Sequence, residues 1–118
     1  MKLITAEIEA RLLENARKQE PVRGTVNEID FYPVVKLFTP DAGCTWLLTE
    51  IDPENPDIAF GLCDLGMGFP ELGSVSLSEI AALRGSLGLP VERDLSFKAA
   101  KKLSEYTDEA RRLERIKA

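Results

Sequence analysis

The sequence predicts an α+β protein: an antiparallel β-meander of about four strands packed against N-terminal, central and C-terminal helices. Three observations carry that expectation. Between Val34 and Leu77, short apolar runs alternate with clusters of Pro, Gly, Asp and Asn, as in strands joined by tight turns. Near both ends of the chain, apolar residues recur at helical spacing with charged residues between them. After the last apolar run comes Ser76-Leu77-Ser78-Glu79, a capping box that opens a further helix.

Taken in order, Ile4, Ile8, Leu12 and Ala16 form the stripe of the first helix, with Thr5 as its N-cap and Pro21 ending it. Residues 22–30 read as a loop or a short edge strand. Val34 to Thr39 is the first strand, and Pro40-Asp41-Ala42-Gly43 turns the chain. Thr45 to Ile51 is the second strand. The loop after it contains Pro53 and Pro56, which cannot donate to a ladder. Ile58 to Leu65 is the third strand, Gly66 to Pro70 a glycine-rich turn, and Leu72 to Leu77 the fourth strand. The central helix runs from Leu77 to Arg84, with Val75 and Ile80 as its hydrophobic staple and Gly85 as its stop. Val91 to Phe97 is irregular or a short strand. Ala99, Leu103, Tyr106, Ala110, Leu113 and Ile116 mark the last helix, and Lys and Arg crowd its final turns, where the helix dipole favours them.

Composition bounds the function. A chain of 118 residues makes one domain, 1–118, with room for one core. A net charge of −5 argues against a broad nucleic-acid surface and against tight binding to anionic membranes. No segment approaches the roughly 20 apolar residues of a membrane span. Glu7, Glu9 and Arg11 interrupt any signal-peptide core, so a cytoplasmic protein is expected. The chain has two cysteines, Cys44 and Cys63, too few for a disulfide scaffold or a cysteine-only zinc site, and no histidine. That removes Ser-His and Cys-His dyads and the commonest metal ligand. No metal and no cofactor is expected.

Pairing Leu37 with Leu47, and Ile51 with Ile58, gives the meander two unlike faces, because side chains alternate along a strand. Val35, Leu37, Leu47, Ile51, Ile58, Phe60 and Leu62 form a core face. Val34, Lys36, Phe38, Trp46, Leu48, Glu50 and Cys63 form a mixed one. In this register Trp46 lies between Phe38 and Cys63, and Gly61 leaves space for the indole. Two readings of the mixed face stay open. Either the C-terminal segment or a helix covers it and Trp46 anchors a core, or Phe38 and Trp46 form a partly open contact patch, since aromatics dominate interface hot spots.

The remaining motifs read as structural. The glycines of GLCDLGMGF match no phosphate-binding pattern. Asp52, Glu54, Asn55 and Asp57 lack the central glycine and terminal glutamate of a calcium loop. Arg93, between Glu92 and Asp94, has the planar fork that clamps a carboxylate or phosphate, and more often ties a loop to nearby acids. Glu50 and Glu71 would serve as an acid–base pair only if the fold brought them together.

The strings PVVKLFTPDAGCTWLLTEIDPENPDIAFGLCDLGMGFPELGSVSLSEI and ALRGSLGLPVERDLSFK resemble a family of small bacterial proteins, domain of unknown function 2958. The resemblance covers nearly the whole chain and implies a setting on plasmids and other mobile elements, in alphaproteobacterial genomes. It implies no activity. Ser74 stands where a tyrosine is often found, and Cys44 where alanine is usual. Ser96 stands where a histidine is common after ERDL, so any chemistry that histidine performs is missing here.

The leading expectation is a non-enzymatic protein-binding or accessory module that recognises another protein or a second copy of itself, through Phe38, Trp46, Glu50, Glu92, Arg93 or Asp94. One alternative is a single-strand nucleic-acid binder stacking bases on the sheet aromatics, which the acidic charge disfavours. The other is a small carboxylate-dependent enzyme, which requires Glu50, Glu71, Glu92, Arg93 and Asp94 to share one pocket.

Overall fold

A computed structural model describes residues 2–118. Helix α1 spans Ala6–Gln19, capped as expected by the Thr5 hydroxyl, which accepts from the Ile8 N–H at 3.2 Å. A short 3-10 turn, Glu20–Val22, carries Pro21. Residues 23–34 form no strand. Gln19 holds this loop by bonding both backbone groups of Ile29, at 2.8 and 2.9 Å.

The meander follows as β1 (Val35–Phe38), β2 (Thr45–Ile51), β3 (Ile58–Asp64) and β4 (Glu71–Ser76). Helix α2 covers Leu77–Ala82, β5 is the pair Glu92–Arg93, and α3 spans Leu103–Leu113. The sheet has five strands in the order β4-β3-β2-β1-β5, each antiparallel to its neighbours. The α+β class holds, with β5 as an added edge strand.

Helix α2 is shorter than its capping box suggests. Ser76 Oγ accepts from the Glu79 N–H at 3.3 Å, but the Asp57 carboxylate takes the Ser78 N–H and both serine hydroxyls. Leu83 has already left the helix in extended geometry, ahead of Gly85. Helix α3 begins at Leu103, after Ala99, and ends at Glu114, whose φ of 61° is a left-handed cap.

The register differs from the expected one by a single residue. Leu37 lies opposite Trp46, not Leu47, and Ile51 opposite Ala59, not Ile58. The first hairpin closes through Thr39 and Cys44, which exchange backbone and hydroxyl bonds of 2.9–3.4 Å. A one-residue slip moves a whole strand's side chains to the other face. A β-bulge between Leu48 and Glu50 then shifts the pairing again, so that Trp46, Leu48 and Ile51 share one face with Ala59. Asn15 of α1 donates to the Thr49 carbonyl at the bulge, at 3.0 Å.

Both faces are core. Helices α1 and α2 cover the first through Leu12 and Ile80, against Val35, Leu37, Trp46 and Leu48. Helix α3 covers the second through Leu103, Tyr106 and Ala110, against Leu47 and Leu62. Accordingly, β2 is buried from Trp46 to Ile51 on both sides. The division into a core face and a mixed face is therefore overturned.

Gly61 lies opposite Leu48, where the bulge begins. A Cβ there would lie 2.8 Å from the Leu48 Cα, against the β2 backbone rather than against the indole. Since backbone cannot step aside as a side chain can, Gly61→Ala is expected to destabilise the protein by about 3 kcal/mol, lowering Tm by about 10 °C in thermal unfolding.

Candidate functional site

The structure separates the residues that sequence reasoning grouped. Trp46 is 2% exposed, a core anchor beneath α1 and α2, and presents no face to a partner or a base. Phe38 is half-buried and lies opposite Thr45 and Glu92, with the Lys36 ammonium 5.9 Å from its ring centre. The Phe38–Trp46 contact patch is thus corrected: the register shift puts the two side chains on opposite faces of the sheet.

Glu50 is 5% exposed, and its carboxylate receives Gln19 Nε2 at 3.5 Å and the Arg23 guanidinium at 3.4 Å. It lines a small cleft of about 200 Å³ with Glu20, Arg23, Asp52, Phe60 and Ser74. Glu71 is exposed on β4 at the far edge of the sheet. Glu92 borders a cleft of about 740 Å³ between the N-terminal segment and α2, floored by Ile4, Ile51 and Leu77. Arg93 ties the N-terminal segment to β5 by donating to the carbonyls of Lys2 and Leu3, at 2.6 and 2.8 Å. Asp94 pairs with Lys36 at 3.3 Å on the α3 side and lines a third cleft. The carboxylates of the proposed enzyme thus line separate clefts, so the requirement of one shared pocket fails.

Basic and aromatic groups do meet in the third cleft, where Lys98, Lys101 and Lys117 surround Phe97 and Tyr106. Tyr106 is buried, its hydroxyl accepts the Ala100 N–H at 3.0 Å, and Lys101 is paired with Glu109 at 2.8 Å. That pairing holds the Glu109 carboxyl below its ordinary value. Tyr106 is thus a packing group on this cleft rather than a ring free to stack. Burial raises the Cys63 thiol to about 11, which makes it a poor nucleophile. Among the described residues, no three Asp, Glu or Cys side chains converge to hold a metal ion.

What sequence reasoning missed lies at the loop end of the sheet. Leu65, Met67 and Phe69, in the β3–β4 turn, are 53, 69 and 79% exposed. Leu72, Leu83, Leu87 and Leu89 are exposed as well. Local bonds tie these segments together. Gly43 of the β1–β2 turn touches Gly66, which with φ of 78° makes the close approach possible. Asp41 in the same turn accepts from the Leu87 and Leu89 N–H groups at 2.7 and 3.1 Å, with its carboxylate pressed against Gly85. The sequence did contain a signal: turns are normally polar, and here three large apolar residues alternate with glycines.

Next to this apolar end runs β4. It is the last strand of the sheet, with no strand beyond it among the described residues. Natural edges are usually blocked by Lys, Pro, a bulge or a covering element. Within β4 the only charge is Glu71, and there is no proline. Asp57 anchors the strand's far end through Ser76 and Ser78, and those hydrogen bonds, Ser76 first, hold its carboxyl below the ordinary value. Since the folded value lies below the unfolded one, this stability is complete above the ordinary carboxylate range and is lost as pH falls through the folded value. Asp57→Asn is therefore expected to be less stable than wild type at neutral pH, with the gap closing in denaturant titrations as the pH falls through the folded value and both carry an uncharged group.

No helix among the described residues is long and apolar enough to cross a membrane. Searches of curated proteins and of solved structures find no match. A family model described as "Protein of unknown function (DUF2958)" matches residues 3–117, and the chain belongs to that family.

Proposed function

We propose that the protein is a non-enzymatic protein-binding or accessory module of the cytoplasm, in the plasmid and mobile-element setting that its resemblance implies. Its contact surface is the β4 edge together with the apolar loop end. The observation that carries this reading is the continuity of an unblocked strand edge with Leu65, Met67, Phe69 and Leu72, all exposed. Strand edges bind extended segments through main-chain hydrogen bonds, and flanking apolar pockets add specificity. Isolated apolar residues on a surface need no explanation, but a contiguous set beside an open edge does. The scattering of Glu50, Glu71, Glu92, Arg93 and Asp94 supports a binding role over a catalytic one.

Photo-crosslinking in the native host tests the surface. A benzophenone side chain placed at Phe69 or Ser74 is expected to trap a protein, which mass spectrometry of the adduct identifies. The same probe at exposed Lys18, on the outer side of α1, is expected to trap none. Adducts of equal yield at all three positions, or at Lys18 alone, would remove the reading.

A further inference from the structure

We propose that the occupant of the β4 edge is a second copy of this chain, paired antiparallel through β4 about a two-fold axis at Gly73. The inference rests on the reading of that edge as a contact surface.

Gly73 supplies the first reason. Glycine weakens a strand, and inside one it marks a bulge, a bend or the close approach of another backbone. Within the single chain Gly73 has no such cause. Its φ is not positive, its pairing with Gly61 is regular, and a Cβ built on it meets nothing within 4 Å. A backbone approaching from outside accounts for it.

Self-complementarity supplies the second. Antiparallel pairing about Gly73 sets each Glu71 opposite Val75 of the other copy, and each Leu72 opposite Ser74, so no like charges oppose one another.

Charge position supplies the third. Glu71, the one charge of β4, sits at the turn end of the strand beside Arg111. An antiparallel pair about Gly73 carries the two Glu71 side chains to opposite ends, whereas an in-register parallel pair would set them side by side.

Sedimentation equilibrium of the purified chain tests the proposal. A monomer–dimer equilibrium is expected, with dimer dominant at about 100 µM, a modest affinity by protein standards. Gly73→Lys places two ammonium groups opposite each other at the axis while entering open space in the single chain. It is expected to leave the fold and Tm intact and weaken the dimer at least about tenfold. A cysteine pair gives an independent measure. In a Cys44→Ala, Cys63→Ala background, Gly73→Cys meets its own copy across the axis at about 4.5–5.5 Å between Cα atoms, within disulfide range. Mild oxidation is expected to link it into a covalent dimer, whereas Leu72→Cys, which faces Ser74, links poorly.

A wild-type chain that stays monomeric at that concentration overturns self-pairing, as does a dimer indifferent to Gly73→Lys, or equal linkage at positions 72 and 73. Should the purified chain be monomeric while the Phe69 crosslinker traps another protein in the host, self-pairing fails and the contact-surface reading stands.

Discussion

The close approach of Gly61 to the β2 backbone is the constraint on which the rest of the structure depends. The bulge begins where Gly61 meets Leu48, and it decides which side chains share a face. Without it, Ile51 would leave the face that Trp46 and Leu48 occupy and point toward α3. With it, Trp46, Leu48 and Ile51 form one continuous floor for α1 and α2. Asn15 closes the arrangement by satisfying the carbonyl that the bulge exposes.

Covering both faces has a functional consequence. A sheet between helices has little flat surface left for recognition, so its aromatic residues become packing groups. Trp46 belongs to the α1 and α2 side, while Phe60, Phe97 and Tyr106 belong to the α3 side. What stays exposed lies at the margins, on the β4 edge and the turns at its end. The same division explains Glu50. The bulge sets it opposite Phe60 and off the Trp46 face, where Gln19 at the end of α1 and Arg23 beyond it reach its carboxylate, and the sequence marks no partner for a carboxylate there.

Local chemistry fixes many of the structural joints. Thr5 caps α1, Ser76 caps α2, Asp57 holds the start of α2 to the start of β3, and Asp41 gathers the loop around Gly85. Asp64 acts similarly, taking the N–H groups of Gly66 and Ile116 and thereby fastening the chain after α3 to the β3–β4 turn. Each is a short polar side chain satisfying backbone donors at a chain reversal, which is why the turns hold with few disruptions to the ladder.

Sequence by itself determined the elements: the α1 stripe and its Thr5 cap, the four strands of the meander, the Ser76 cap and the C-terminal helix. These follow from periodicity and turn chemistry, which act over a few residues. Family membership was legible too, in the strings from Pro33 to Ile80 and from Ala82 to Lys98. Tertiary structure alone decided the pairing register, the bulge, the burial of Trp46 and the separation of Glu50, Glu71, Glu92 and Asp94. The physical reason is the two-residue period of a strand. Shifting the Thr39–Cys44 closure by one residue exchanges the faces, and alternating apolar residues on both sides of β2 make either register acceptable until α1, α3 and the Gly61 contact select one.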